Sequence, residues 1–245
     1  MDVQIEKSLA SLKARHINGI FSENIEKARQ EILTLIPREA VVGIGDSTTS
    51  RQMGIPEALK ERGTKVLNAF DREAAKMDGQ KLEEQRSKIV KEATICDVFL
   101  TGTNALTQDG RLVNVDSIGN RVAGMFWGHP ISVIVVGRNK IVRDLDEAFH
   151  RIRHVIAPNH VRIRTVELGG RQRNTPCVAT GECTDCRATD RICNVFTIIE
   201  GKPGRTDLNV FIVNEDLGLG WDTAWPQDRI LNICENYKKF VWIPK

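Results

Sequence analysis

A chain of 245 residues, 41% of them hydrophobic, can bury a full core as one large domain, which excludes a disordered chain. Its 35 Lys and Arg face 32 Asp and Glu, a net charge of +3 spread along the length, so no footprint for nucleic acid stands out. The longest apolar runs fall far short of the roughly 20 residues that span a bilayer, and the charged start Met1-Asp-Val-Gln-Ile-Glu-Lys7 does not read as a signal peptide; a cytoplasmic protein without membrane insertion is expected.

Residues 1–37 read as a helical segment. Between Ile20 and Ile36 the apolar positions Ile25, Ala28, Ile32 and Leu35 recur at helical spacing, and Pro37 closes the run. Residues 40–45 predict a short buried strand, 50–62 a helix stopped by Gly63, and 64–68 a second strand. A charged helix over 79–93 leads to a third strand at 97–101. An Asp-Gly turn at 109–110 precedes extended residues 111–115, and 117–127 reads as helical. Residues 131–137 are nearly continuous Ile and Val, the composition of a central parallel strand. A helix beginning near Asp144 is expected to end at Ala157, because Pro158 follows. Residues 169–194 show no period; strands return at 195–200 and 208–213, and a helix closes the chain at 226–239. The alternation implies a single three-layer α/β domain with an open, mostly parallel sheet, whose ligands bind beyond the carboxyl ends of the strands.

Within the aperiodic loop, Cys177, Cys183, Cys186 and Cys193 fall inside 17 residues. In a reducing compartment such density reads as a metal site rather than disulfides: four soft thiolates satisfy zinc or a cubane. Structural zinc usually pairs two Cys-x2-Cys hooks, and here only Cys183 and Cys186 form one, so a [4Fe-4S] cluster is preferred to Zn. Arg173, Arg187 and Arg191 can offset the charge of such a cluster. Cys96 and Cys234, beside Ile95 and Ile233, read as core.

Two polar stretches follow predicted strands. Gly43-Ile-Gly45-Asp46-Ser47-Thr48-Thr49 combines glycines and hydroxyls suited to a small anionic substrate, without being a Walker loop or a dinucleotide fingerprint. The second contains Thr101, Gly102, Thr103, Asn104, Asn114, Asp116, Asn120 and Arg121, more amide and carboxylate side chains than one turn needs, and is read as a ligand pocket.

These residues resemble the LUD (lactate utilisation) domain family, a branch of the superfamily of ribose-5-phosphate isomerase and CoA transferases. Thr101-Gly-Thr-Asn-Ala-Leu through Asn114 and Gly119-Asn-Arg-Val-Ala carry the likeness, while Thr175-Pro-Cys177 and Arg191-Ile-Cys193-Asn194 resemble a compact subgroup with a cysteine-rich insert. The resemblance implies a three-layer fold, an association with oxidation of lactate to pyruvate, and partner redox subunits. The isomerases carry a proton-handling Asp where this chain has Asn104, and an amide is no general base near neutral pH. Glu215 and Asp216, after the last strand, are the carboxylate pair nearest a predicted strand end, read either as catalytic or as a helix cap. His129, His150, His154 and His160 are assigned surface or capping roles. The leading expectation is a lactate-utilisation-type iron-sulfur protein, possible oxidoreductase component included. The alternatives are a non-catalytic zinc-stapled accessory protein and a sugar-phosphate or acyl-transfer enzyme.

Overall fold

The computed structural model describes residues 2–71 and 79–243, with backbone alone for 79–82. Asp2 caps helix α1 (Val3–Ala14) by accepting from the Gln4 amide at 2.9 Å. Strand β1 (Asn18–Ser22) follows, and Asn24 caps α2 (Ile25–Leu35). Ile20 therefore lies in a strand, not in the expected helix. Residues 18–22 pair with 209–213, a long-range contact that local periodicity does not register. After β2 (Val41–Ile44) the helix expected at 50–62 proves to be two, α3 (Thr48–Gln52) and α4 (Ile55–Glu61). They break where Gly54 takes φ +63, a left-handed backbone open to glycine, and Pro56 starts the next turn.

Strand β3 (Lys65–Leu67), helix α5 (Gly79–Ala93) and strand β4 (Val98–Gly102) fall where the sequence puts them. Strands β5 (Ala105–Thr107) and β6 (Leu112–Asp116) form a hairpin about the Asp-Gly turn, followed by α6 (Asn120–Phe126), β7 (Ile131–Gly137) and β8 (Ile141–Val142). Pro158 does not end the next helix. From α7 (Leu145–Arg151) the chain passes through a π-helical turn at Ile152–Ile156 into α8 (Ala157–Arg162), then a second π turn at Ile163–Glu167. The proline lies in the first turn of α8, where the register has just been widened and its missing N–H costs little. The cysteine-rich loop contains short α9 (Pro176–Thr180), and β9 (Val195–Ile199), β10 (Asp207–Val213) and α10 (Gln227–Phe240) complete the described chain.

Six strands make one parallel sheet in the order β1-β10-β7-β4-β2-β3. Central β7 sends Val133 and Val135 to one face and Ile134 and Val136 to the other, the period-two alternation of a strand. The first face packs on α2 and α4 through Ala28, Ile32, Ile55 and Leu59. The second packs on α1, α6 and a smaller sheet, β8-β5-β6-β9, which the sequence reading did not anticipate as a separate layer. Among the described residues no helix is long and apolar enough to cross a membrane. The chain leaves β2 toward the edge strand β3 and returns on the other side as β4. The loops after β2 and β4 consequently diverge, and a crevice opens at the carboxyl ends of the strands.

Candidate functional site

That crevice is a cavity of about 1190 Å³. The loop after β2 contributes Asp46, Ser47, Thr48 and Thr49; the loop after β4 contributes Gly102, Thr103 and Asn104; Asp116, Asn120 and Arg121 come from β6 and α6. Lys140, just past β7, and Gly218, past β10, also line it. Four of the residues expected in the pocket lie beneath it instead. Gly43 and Gly45 allow close packing, since a Cβ on Gly45 would stand 2.7 Å from Thr101 Oγ1; Thr101 and Asn114 are wholly buried.

Asn114 and Arg121 form the strut of the site. Asn114 Oδ1 accepts from Thr103 Oγ1 at 3.0 Å, the Asn104 amide at 3.1 Å and Arg121 Nη1 at 2.7 Å. Arg121 places all five N–H donors: Nε on Asp116 at 2.9 Å, Nη1 also on the Gly102 carbonyl at 3.1 Å, and Nη2 on Asn104 Oδ1 at 2.8 Å and the Val115 carbonyl at 2.9 Å. Because Asn104 Oδ1 is thus committed, its NH₂ group is the part left for a ligand.

Lys140 was not singled out by the sequence. It is 6% exposed, and its Nζ donates to Thr49 Oγ1 at 3.1 Å and the Thr103 carbonyl at 2.9 Å. Among the described residues no carboxylate lies within ion-pair distance of it. Burial, then the charge of Arg121, pull its pKa down to about 7. Gly218, at φ +70, arches over it: a Cβ there would meet Lys140 Nζ and Thr49 Oγ1 at 2.6 Å.

A second group gathers along α8 and α10. His160 Nδ1 meets the Tyr237 hydroxyl at 2.5 Å, and Arg164 Nη1 approaches His160 Nε2 at 3.2 Å. A guanidinium only donates, so Nε2 carries the lone pair and Nδ1 the proton. Burial, then Arg164, hold the imidazole neutral, with its pKa near 3. The surface or capping role expected for His160 therefore gives way to one inside the cavity. His129 is likewise buried, stacked on Phe99 at 5.5 Å, and burial lowers its pKa; His150 and His154 are exposed. Burial raises Asp46, but Arg51, 2.8 Å from it, and Arg164 outweigh that and keep its carboxyl below the ordinary range.

Glu215 and Asp216 do not line the cavity. Glu215 Oε1 accepts from the Ile25 amide at 2.8 Å, capping α2, and Asp216 takes Arg229 Nε at 2.7 Å and Arg138 Nε at 3.0 Å. Cys177, Cys183, Cys186 and Cys193 are all free and partly exposed on one loop. Burial raises the Cys193 thiol to about 11; Arg191 opposes this, and Cys183, Cys177 and Cys186 add to it, so all three lie within electrostatic reach of Cys193. The donor set has the softness and number that zinc or a cubane requires, while among the described residues no three Cys, His, Asp or Glu side chains are gathered tightly enough to hold an ion. Cys96 is buried against the carbonyls of Ala93 and Val98, a core residue, and Cys234 is half-buried on α10.

The model of the LUD domain matches residues 5–213. The chain belongs to the LUD domain family. Membership relates it to lactate utilisation. This LUD domain is similar to a DUF162 family protein of Deinococcus radiodurans, at 16% identity over 86% of this chain and 94% of that one, with a TM-score of 0.43. It is also similar to ribose 5-phosphate isomerase A of Neisseria gonorrhoeae, at 15% identity over 59% and 65% of the two chains, with a TM-score of 0.31. No curated protein matches the sequence.

Proposed function

We propose that this LUD domain is a lactate-utilisation-type iron-sulfur protein acting in the redox metabolism of a small 2-hydroxy acid. Shared lining carries the reading: residues 189–192 and Asn194, from the loop that bears the four cysteines, wall the same cavity as Ser47, Asn104 and Lys140. A [4Fe-4S] cluster on Cys177, Cys183, Cys186 and Cys193 supplies one-electron transfer when bound. Lys140 receives the substrate carboxylate, because an arriving anion supplies the countercharge that its surroundings lack. The hydroxyls of Ser47 and Thr49 and the NH₂ of Asn104 are the donors for the oxygen on C2. With an amide at position 104, proton shuttling between adjacent carbons has no base there, which disfavours aldose-ketose isomerisation.

The test is protein purified without oxygen, assayed for iron and acid-labile sulfide and for visible absorption that bleaches on reduction. Cys193→Ser is expected to lower the iron content and Cys234→Ser to leave it unchanged. A colourless protein with stoichiometric zinc would establish the zinc-stapled alternative in its place.

A further inference from the structure

At about 1190 Å³ the cavity exceeds the roughly 300–1,000 Å³ of pockets that hold drug-sized ligands, and dwarfs a three-carbon acid. It also has two cationic stations that are electrically separate. Among the described residues Arg121 is the one charge that acts appreciably on Lys140, and its guanidinium is fully committed. The second station is Arg164, Arg171 and Arg173, which line the cavity at the base of the cysteine loop. Burial, then the charges of Arg164 and Arg171, lower the pKa of Arg173, and Asp190 opposes them; the atom of Asp190 that Arg173 contacts is its backbone carbonyl. Among the described residues none of these three guanidinium groups has a carboxylate at ion-pair distance.

Unused donors mark the same end. Trp242 is 5% exposed and holds Arg86 at 4.3 Å and Arg164 at 5.6 Å over its ring, yet among the described residues its own buried Nε1–H has no partner. Among the described residues the buried Nε–H of Arg86 has none either. Buried donors left without acceptors destabilise the empty site, and guanidinium groups clustered without carboxylate partners repel. An acceptor-rich anion relieves both costs at once, and several guanidinium donors suit a phosphate or carboxylate group.

We infer that this second station binds a second anionic group of the ligand, so that the molecule the cavity takes is a 2-hydroxy acid carrying a phosphate or carboxylate at its far end. The hydroxy-acid end rests on the function proposed above; the second anion does not.

Calorimetric titration of the whole protein, which needs no redox turnover, tests it with D-glycerate, D-3-phosphoglycerate, L-malate and inorganic phosphate. One or both of the two-headed probes should bind at least tenfold tighter than glycerate. Arg173→Gln and, separately, Trp242→Phe, which keeps an aromatic face and removes the donor, should erase that advantage while leaving glycerate affinity unchanged. Equal affinity for all three acids would overturn the inference, as would variants that leave the preference intact because the arginines serve only the cysteine loop. Inorganic phosphate binding as tightly as phosphoglycerate would mean a free-anion site and would also overturn it. Glycerol 3-phosphate separates the two readings: if it matches phosphoglycerate, the second station stands and the hydroxy-acid reading fails.

Discussion

Replacing Lys140 by Met tests the unbalanced charge directly, without any ligand. An ammonium whose pKa falls from 10.5 in the open chain to about 7 in the fold burdens the folded state. At 1.36 kcal/mol per pH unit the full burden is about 5 kcal/mol. The unfolded chain binds more protons than the folded one between these two values, so stability from this group rises with pH across that window. The burden is complete below pH 7 and gone above 10.5. Between pH 6 and pH 9 the native protein should therefore gain about 2.5 kcal/mol that Lys140→Met does not gain. Losing the bonds to Thr49 and Thr103 shifts the variant by about 1–3 kcal/mol, but equally at every pH, so the difference in slope is the readout. Urea unfolding of both proteins at pH 6, 7, 8 and 9 measures it. Parallel curves would refute the reasoning and mean that Lys140 stays charged through countercharge or water.

Two further substitutions probe the walls. Arg121→Met strands the buried Asp116 carboxylate and should cost about 3–5 kcal/mol in denaturant unfolding, with Asp116→Asn in the same chain restoring part of it; a loss below 1 kcal/mol would remove Arg121 from its role as strut. Gly218→Ala forces a left-handed residue and presses a methyl onto Lys140 Nζ, so about 1–3 kcal/mol of stability and most of the glycerate affinity should be lost together; unchanged affinity would mean that Lys140 does not meet the carboxylate.

The sheet was legible because its strands are apolar runs bounded by glycine or polar turns, and 131–137 could hardly be anything but central. The cysteines were legible by residue type alone. Asn104, Asp116 and Arg121 were recognisable as belonging to one polar site, although the saturation of Arg121 by five hydrogen bonds depends on residues from two other segments, 102–104 and 114–116. Lys140 was hidden for another reason. One of 35 basic residues, it differs from its exposed counterparts only in its burial at a strand's carboxyl end. The rule that sends ligands to those ends, applied to β7 as well as to β2 and β4, would have found it. Glu215 does act as a cap, but on α2, whose amide comes from the opposite end of the chain, beyond the range of local reasoning.

The misreadings of Pro158 and of His160 have one physical cause. A helix that stops at Ala157 leaves His160 and Arg164 in a connecting loop, where a surface role is the natural assignment. The π turn at Ile152–Ile156 instead carries the helix through the proline, and the second at Ile163–Glu167 prolongs it. Ile156, His160 and Arg164 recur every fourth residue and share one face, which the widened turns direct into the cavity. Such turns interrupt regular backbone hydrogen bonding and persist where what they position compensates. Here they place the neutral imidazole against Tyr237 and Arg164 over Trp242. The helix irregularity and the second cationic station are thus one feature of this LUD domain, built on the segment that leads from β8 into the cysteine loop.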